Sequence, residues 1–265
     1  MTFKRTPVAD RLPDFPWDSL AEAKAKASSH PDGIVDLSVG TPVDPVSPAI
    51  QLALTESAAE PGYPQTKGTP ALRAAIVGAM ERRFHVAGLD ADTNVLPVIG
   101  TKEAIAWMPT LLGIGAGHTV VIPELAYPTY EVSARLAGAE VLRSDSLLKL
   151  GPQTPALIYL NSPANPHGQV LGADHLRKFV EFARQRGTVI VSDECYLGLG
   201  WGEERPLSIL DPEVCGGDFT NLIAVHSLSK TSNLASYRAG WLAGDGELIQ
   251  ELLGIRRHAG LMNPG

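Results

Sequence analysis

Lys230 closes the stretch Ser227-Leu228-Ser229-Lys230, and Arg238 follows eight residues later. An amine set between hydroxyls and a guanidinium is a phosphate site with a nucleophile inside it. The preceding run from Asn221 to His226, NLIAVH, has the apolar continuity of a buried parallel strand. Lys230 is therefore expected just past the carboxyl end of a strand, where open α/β sheets bind ligands. A lysine at a phosphate cradle is suited to hold a phosphorylated aldehyde as a Schiff base, and pyridoxal 5′-phosphate is the usual cofactor of that kind. Read alone, Lys230 is equally a surface lysine after a serine-rich turn.

Four further strand ends carry matching chemistry. Val189 to Val191 leads into Asp193-Glu194-Cys195-Tyr196. A carboxylate at Asp193 would keep a pyridine nitrogen protonated so that the ring accepts carbanion electrons, and the Tyr196 phenol would bond the ring oxygen. Ala156 to Leu160 runs into the proline-stiffened turn Asn161 to Gly168, from which Asn165 can reach the same oxygen. Thr119 to Ile122 empties into a segment holding Tyr127, an aromatic ring able to stack on a planar cofactor. Gly100-Thr101-Lys102 follows the strand-like run Asn94 to Ile99 and opens a helix-like run to Leu112. Its backbone N–H groups would face an anion at the positive end of the helix dipole, with Thr101 doubling as a cap. Each motif has a plainer reading as a strand-end acid, a core tyrosine or a helix cap.

Taken in order, LSVGTP at Leu37 to Pro42, GYPQTKGTPALRAAI at Gly62 to Ile76, GTKEA, PELAYPTY, NSPANPHG, SDECY and SLSK with Arg238 resemble the landmarks of fold-type I pyridoxal-phosphate aminotransferases of classes I and II. The resemblance covers nearly the whole chain. It implies that Lys230 carries the cofactor, Asp193 pairs with the pyridine nitrogen, and Tyr196 and Asn165 contact the phenolic oxygen. Arg238, Ser227 and the backbone at Thr101 and Lys102 would hold the phosphate, and Tyr127 would stack on the ring. Gly40 and Asn165 would lie beside the substrate, and Tyr63 would reach the phosphate of a neighbouring subunit, which implies a homodimer. Within the family, SLSKTSNLASYRAGW most resembles bacterial N-succinyldiaminopimelate aminotransferases. That implies transfer from N-succinyl-LL-2,6-diaminopimelate to 2-oxoglutarate in lysine and diaminopimelate synthesis. Aspartate-like or kynurenine-like aminotransferases, a carbon–sulfur β-lyase and a non-catalytic cofactor-sensing regulatory module share the cradle.

Departures from the family pattern are His167 where threonine is usual, Ser236 where glycine is common, and LGIGAGHT at Leu112 to Thr119. The family continues past the counterpart of Gly265 into a small domain of about 100 residues that clamps the substrate carboxylate with an arginine. The resemblance thus implies that a C-terminal small domain is missing here, and Arg256 and Arg257 read as a solvated helix face.

Alternation of helical and strand runs implies an α/β fold of three layers, a mostly parallel sheet with helices on both faces. Residues 1–44 are expected to serve small-domain and dimer contacts, and 45–265 to form the cofactor-binding large domain. Ser19 with Glu22 reads as a capping box. Thr69-Pro70 starts another helix with Gly88 near its end, and Ala173 to Arg186 closes at Gly187.

A net charge of −7 argues against a nucleic-acid partner. No run approaches a membrane span and the amino terminus lacks an apolar leader core, so a cytoplasmic location is expected. Two cysteines outside any CxxC pair and histidines without ligand spacing imply no metal site. Gly113, Gly115 and Gly117 follow a helix and precede a strand, the wrong context for a dinucleotide fingerprint.

Overall fold

Every apolar run singled out above forms a strand in the computed structural model, which describes residues 4–202 and 205–260. The strands are β1 (Val95–Val98), β2 (Thr119–Ile122), β3 (Glu140–Arg143), β4 (Leu157–Asn161), β5 (Val189–Asp193), β6 (Leu222–Ser227) and β7 (Gly240–Gly244). The helices are α1 (Ala21–Ser28), α2 (Pro48–Ser57), α3 (Pro70–Phe84), α4 (Thr101–Leu111), α5 (Thr129–Ala137), α6 (Ala173–Arg186), α7 (Pro212–Cys215), α8 (Leu228–Thr231) and α9 (Gly246–Ala259).

One seven-stranded sheet runs in the order β1-β7-β6-β5-β4-β2-β3. The pairs β2–β3, β2–β4, β4–β5 and β5–β6 are parallel, while β7 is antiparallel to both β1 and β6. Strands β4, β6 and β7 are buried along their length and β5 in all but its first residue, which explains their apolar runs. Because β7 reverses, β1 and β6 point the same way. The residues after β1, β5 and β6 and the residues before β7 therefore gather at one end of the sheet.

Two core layers flank the sheet. Met80, Phe84, Leu176 and Phe179 of α3 and α6 pack on one face with Ile190, Leu222 and Ala224. Ile105 and Met108 of α4, Tyr130 of α5 and Leu252 of α9 pack on the other with Val191, Ile223 and Val225. In α6 the buried set Leu176, Phe179, Val180 and Ala183 has helical spacing, and Gly187 ends the helix at φ 68° as expected.

Two expected helix boundaries are corrected. The Ser19 hydroxyl donates to the Pro16 carbonyl at 2.6 Å instead of capping α1. Residues Asp18–Leu20 first make a 3₁₀ turn, so the box falls one turn too early to cap the α-helix. Helix α3 stops at Phe84, where His85 takes φ 59°, and not near Gly88. Its start is as expected, with the Thr69 hydroxyl accepting from Leu72 N at 3.1 Å.

None of the residues of segment 34–44 is buried. It is tied by the Trp17 indole N–H to the Ser38 carbonyl at 3.5 Å and by Lys24 to Asp36 at 3.0 Å. Hydrogen bonds from the Ser38 hydroxyl and amide hold the Asp36 carboxyl down at about 2, with Lys24 adding to them.

Candidate functional site at the strand ends

Asp193 is the last residue of β5, and strand alternation turns its side chain to the face covered by α4 and α5. It is 7 % exposed. The Tyr130 hydroxyl donates to Oδ2 at 2.8 Å and the Cys195 amide to Oδ1 at 3.1 Å. Burial raises the Asp193 carboxyl above the usual carboxylate range, against the lowering effect of these neutral donors and of nearby His226. Such an acid is stabilised in its ionised form by a cation brought to it. A protonated pyridine nitrogen is one.

Lys230 lies in α8, directly after β6. The Ser227 hydroxyl caps this turn by accepting from Ser229 N at 3.1 Å. Its Nζ donates to the Gly40 carbonyl, and Asn233 Nδ2 donates to the Asp44 carbonyl. Segment 34–44 therefore borders the lysine, and Gly40 meets it through its backbone.

The side expected to face an anion is built from α4 and the turn before β7. Gly100 has φ 106°, and a Cβ there would lie 1.9 Å from Arg238 Nη2, so only glycine lets the guanidinium close on this helix terminus. Arg238 itself takes φ 56° and donates to the Ala235 carbonyl at 2.7 Å. Gly100 is the cap and Thr101 the first helical residue, which leaves the Thr101 hydroxyl to accept from the Cys195 thiol at 3.4 Å. The Lys102 side chain points away and sits 5.5 Å over the Phe15 ring, so any contribution of Lys102 here is through its backbone.

Asn165, Tyr127 and Tyr196 surround the same centre. The Asn165 amide donates to Asn161 Oδ1 at 2.7 Å, while Asn161 Nδ2 donates to the Asp193 carbonyl at 3.0 Å. Tyr127 and Tyr196 are half-buried, and burial raises both phenols. Tyr63 stands 96 % exposed. It is not brought to this centre within the chain.

Three contributors escaped sequence reading. Asn161 ties the proline turn to the end of β5, and its only signal is its position opposite Asp193 in the β4–β5 register. Tyr130 was visible as a second aromatic three residues after Tyr127, one helical turn along. Burial pushes its phenol well up, which keeps it a donor to Asp193. Arg256, expected on a solvated face, is 1 % exposed and paired to Glu103. Arg257 is exposed as expected. A guanidinium on an apolar helix face is buried only with a partner, and that partner is 153 residues away.

Among the described residues no cluster of His, Cys, Asp and Glu is placed to hold a metal ion, and no helix is long and apolar enough to cross a membrane.

A family model described as aminotransferase class I and II matches residues 32–263. A probable aminotransferase of Mycobacterium tuberculosis, Rv1178, is 65% identical over 97% of this chain and 61% of its own length. The 4-dedimethylamino-4-oxo-anhydrotetracycline transaminase OxyQ of Streptomyces rimosus is 52% identical over 94% of this chain and 68% of its own. An LL-diaminopimelate aminotransferase of Dehalococcoides mccartyi is 31% identical over 92% and 65%. The chain thus spans less than two thirds of the first and third of these relatives. Among solved structures, an aminotransferase of Neisseria meningitidis superimposes with TM-score 0.85 at 30% identity, covering 97% of this chain and 69% of that one. N-succinyldiaminopimelate aminotransferase of Mycobacterium tuberculosis superimposes with TM-score 0.83 at 24% identity over 98% and 69%, a likeness of fold.

Proposed function

Since the chain belongs to the class I and II aminotransferase family, whose members depend on pyridoxal 5′-phosphate, we propose that its site moves an amino group from an amino acid to a 2-oxo acid. The observation that carries this reading is the meeting of three groups at one end of the sheet: buried Asp193, the Lys230 amine, and the α4 terminus closed by Arg238. The residues fit the cofactor. The acid with the raised pKa asks for a cation, and the contact of Arg238 on Gly100 frames an anion site.

Bound pyridoxal phosphate supplies an electron-accepting ring for the pair released when a substrate Cα–H bond breaks. Lys230 Nζ would hold the cofactor and would carry the proton that leaves the substrate carbon. Asp193 would keep the ring nitrogen protonated, and the Tyr130 hydroxyl holds the carboxylate in place. Tyr196 and Asn165 would donate to the ring oxygen, Asn161 fixing the Asn165 backbone. Arg238, Ser227 and the backbone of Thr101 and Lys102 would hold the phosphate. Tyr127 would cover the ring, and Gly40 would border the substrate.

In the same proposal the donor is N-succinyl-LL-2,6-diaminopimelate and the acceptor 2-oxoglutarate. Support comes from the resemblance of the Ser227 to Trp241 segment, and the 31% identity to an LL-diaminopimelate aminotransferase supports the diaminopimelate skeleton without its succinyl group. Residues 45–265 form the cofactor-binding unit, while 1–44 and the exposed Tyr63 serve contacts in a cytoplasmic homodimer, with Tyr63 reaching the partner's phosphate.

Borohydride reduction of the cofactor-loaded protein followed by peptide mapping should label Lys230, and Lys230→Ala should lower turnover by at least about 10²–10⁴-fold. Label on another lysine, such as Lys102, would sink the reading. In a donor panel with 2-oxoglutarate, the succinylated diaminopimelate should lead in kcat/KM. Leadership by free diaminopimelate, aspartate or kynurenine in that panel, or by a polycyclic ketone like that in the name of the Streptomyces relative in a parallel acceptor panel, would replace the substrate and leave transamination intact.

A further inference from the structure

Helix α9 buries Ile249, Leu252, Leu253 and Arg256 on one face. Their spacing is that of a single apolar stripe, so a guanidinium occupies a position that helical periodicity reserves for a hydrophobic residue. Its Nη2 lies 3.1 Å from Glu103 Oε2 and its Nη1 3.4 Å from Oε1, a fork on a carboxylate whose side chain is 19 % exposed. Glu103 is the third residue of α4. It therefore stands in the first turn of the helix whose opening amides, at Thr101 and Lys102, face the anion site framed by Arg238. A carboxylate there occupies the positive end of the helix dipole and repels a second anion bound at the same end.

We propose that Arg256 is a positioning residue for the phosphate cradle: by pairing with Glu103 it neutralises the acid in the first turn of α4 and leaves the helix terminus free to bind a phosphate dianion. Glu103 in turn keeps Arg256 compatible with its apolar surroundings. The inference rests on the pyridoxal-phosphate reading above. It concerns charge at the phosphate, so it separates from a role in packing α9 against the sheet. A packing role affects every ligand of the site alike. A charge role affects only the phosphorylated one.

The test is equilibrium titration of the cofactor-free protein with pyridoxal phosphate and, separately, with pyridoxal, which lacks the phosphate. Arg256→Gln should weaken pyridoxal phosphate about 3- to 10-fold and leave pyridoxal unchanged. Glu103→Gln breaks the same ion pair but removes the repelling charge, so it should bind pyridoxal phosphate as tightly as the parent or more tightly. The double variant should return to within about twofold of the parent. Parallel loss of both ligands in Arg256→Gln, or weakened pyridoxal phosphate in Glu103→Gln, would overturn the inference while leaving the cofactor reading in place. A parent protein with no preference for pyridoxal phosphate over pyridoxal would overturn both. If Arg256→Gln does not fold, the sign of the Glu103→Gln effect decides alone.

Discussion

Asp193 and Glu194 are consecutive acids at the end of β5, almost equally buried, and they face opposite sides of the sheet. On the α4–α5 side, Asp193 meets neutral donors from Tyr130 and Cys195. On the α3 side, Glu194 Oε2 lies 3.0 Å from His226 Nε2, at ion-pair distance without linear hydrogen-bond alignment, and Oε1 accepts from Ile209 N at 2.7 Å. The His226 ring is stacked between Phe84 and Trp241, with centroids at 4.9 Å and 5.2 Å. One acid has a basic ring at ion-pair distance within the chain; the other is held by hydrogen bonds from uncharged donors. The difference teaches that burial alone does not mark a functional carboxylate. What separates the two is the partner in contact, uncharged donors on one side and a basic ring on the other.

The sharpest way to break this comparison is to neutralise each acid in turn. Asp193→Asn should lower turnover about 10²–10³-fold, the scale for losing one preorganised electrostatic partner. Its effect on the cofactor-free fold should depend on pH with a definite sign. The folded-state pKa of Asp193 is raised from 3.8 by burial. Its contribution to stability is therefore fully present below that ordinary value and is lost as pH rises through the raised one. Melting temperatures of the variant minus the parent should become more positive from pH 4 to pH 7. A flat difference would show that Asp193 is not strained by burial.

Glu194→Gln should do the reverse, costing about 2 kcal/mol of stability by disturbing a buried group that accepts from Ile209 N while leaving cofactor affinity close to that of the parent. Denaturant unfolding and cofactor titration measure the two. A large loss of turnover with intact stability would place Glu194 in the chemistry and erase the contrast between the faces.

Tyr130→Phe is the mildest change. It removes the donor to Asp193 Oδ2 and should cost about 1.5 kcal/mol, roughly tenfold, in cofactor affinity or turnover. The same substitution should raise the Asp193 pKa further, because a bond to its charged form is gone. An unaltered Asp193 titration, followed by carboxyl NMR in the cofactor-free protein, would remove Tyr130 from the site.

Much of this was legible along the chain because strand ends are punctuated by turns. Asp193, Asn165, Tyr127, Thr101 and Lys230 each follow an apolar run, and each run became a strand within a residue or two of its expected bounds. What escaped reading was contact at long sequence separation. Nothing local distinguishes Arg256 from Arg257, yet the first faces the core and the second solvent. The capping box at Ser19 failed for a related reason, since a 3₁₀ turn intervened before the α-helix began.

Residue order by itself determined the alternation of elements and the strand-end placement of the chemical groups, because these depend on local periodicity. Only the tertiary structure decided the antiparallel insertion of β7 between β1 and β6, which brings Gly100, Lys230 and Arg238 to one sheet end. It also decided which of two neighbouring acids found a base and which of two neighbouring arginines was buried. Those outcomes depend on partners brought together by packing across 30 or more residues, and hydrophobic periodicity carries no information about them.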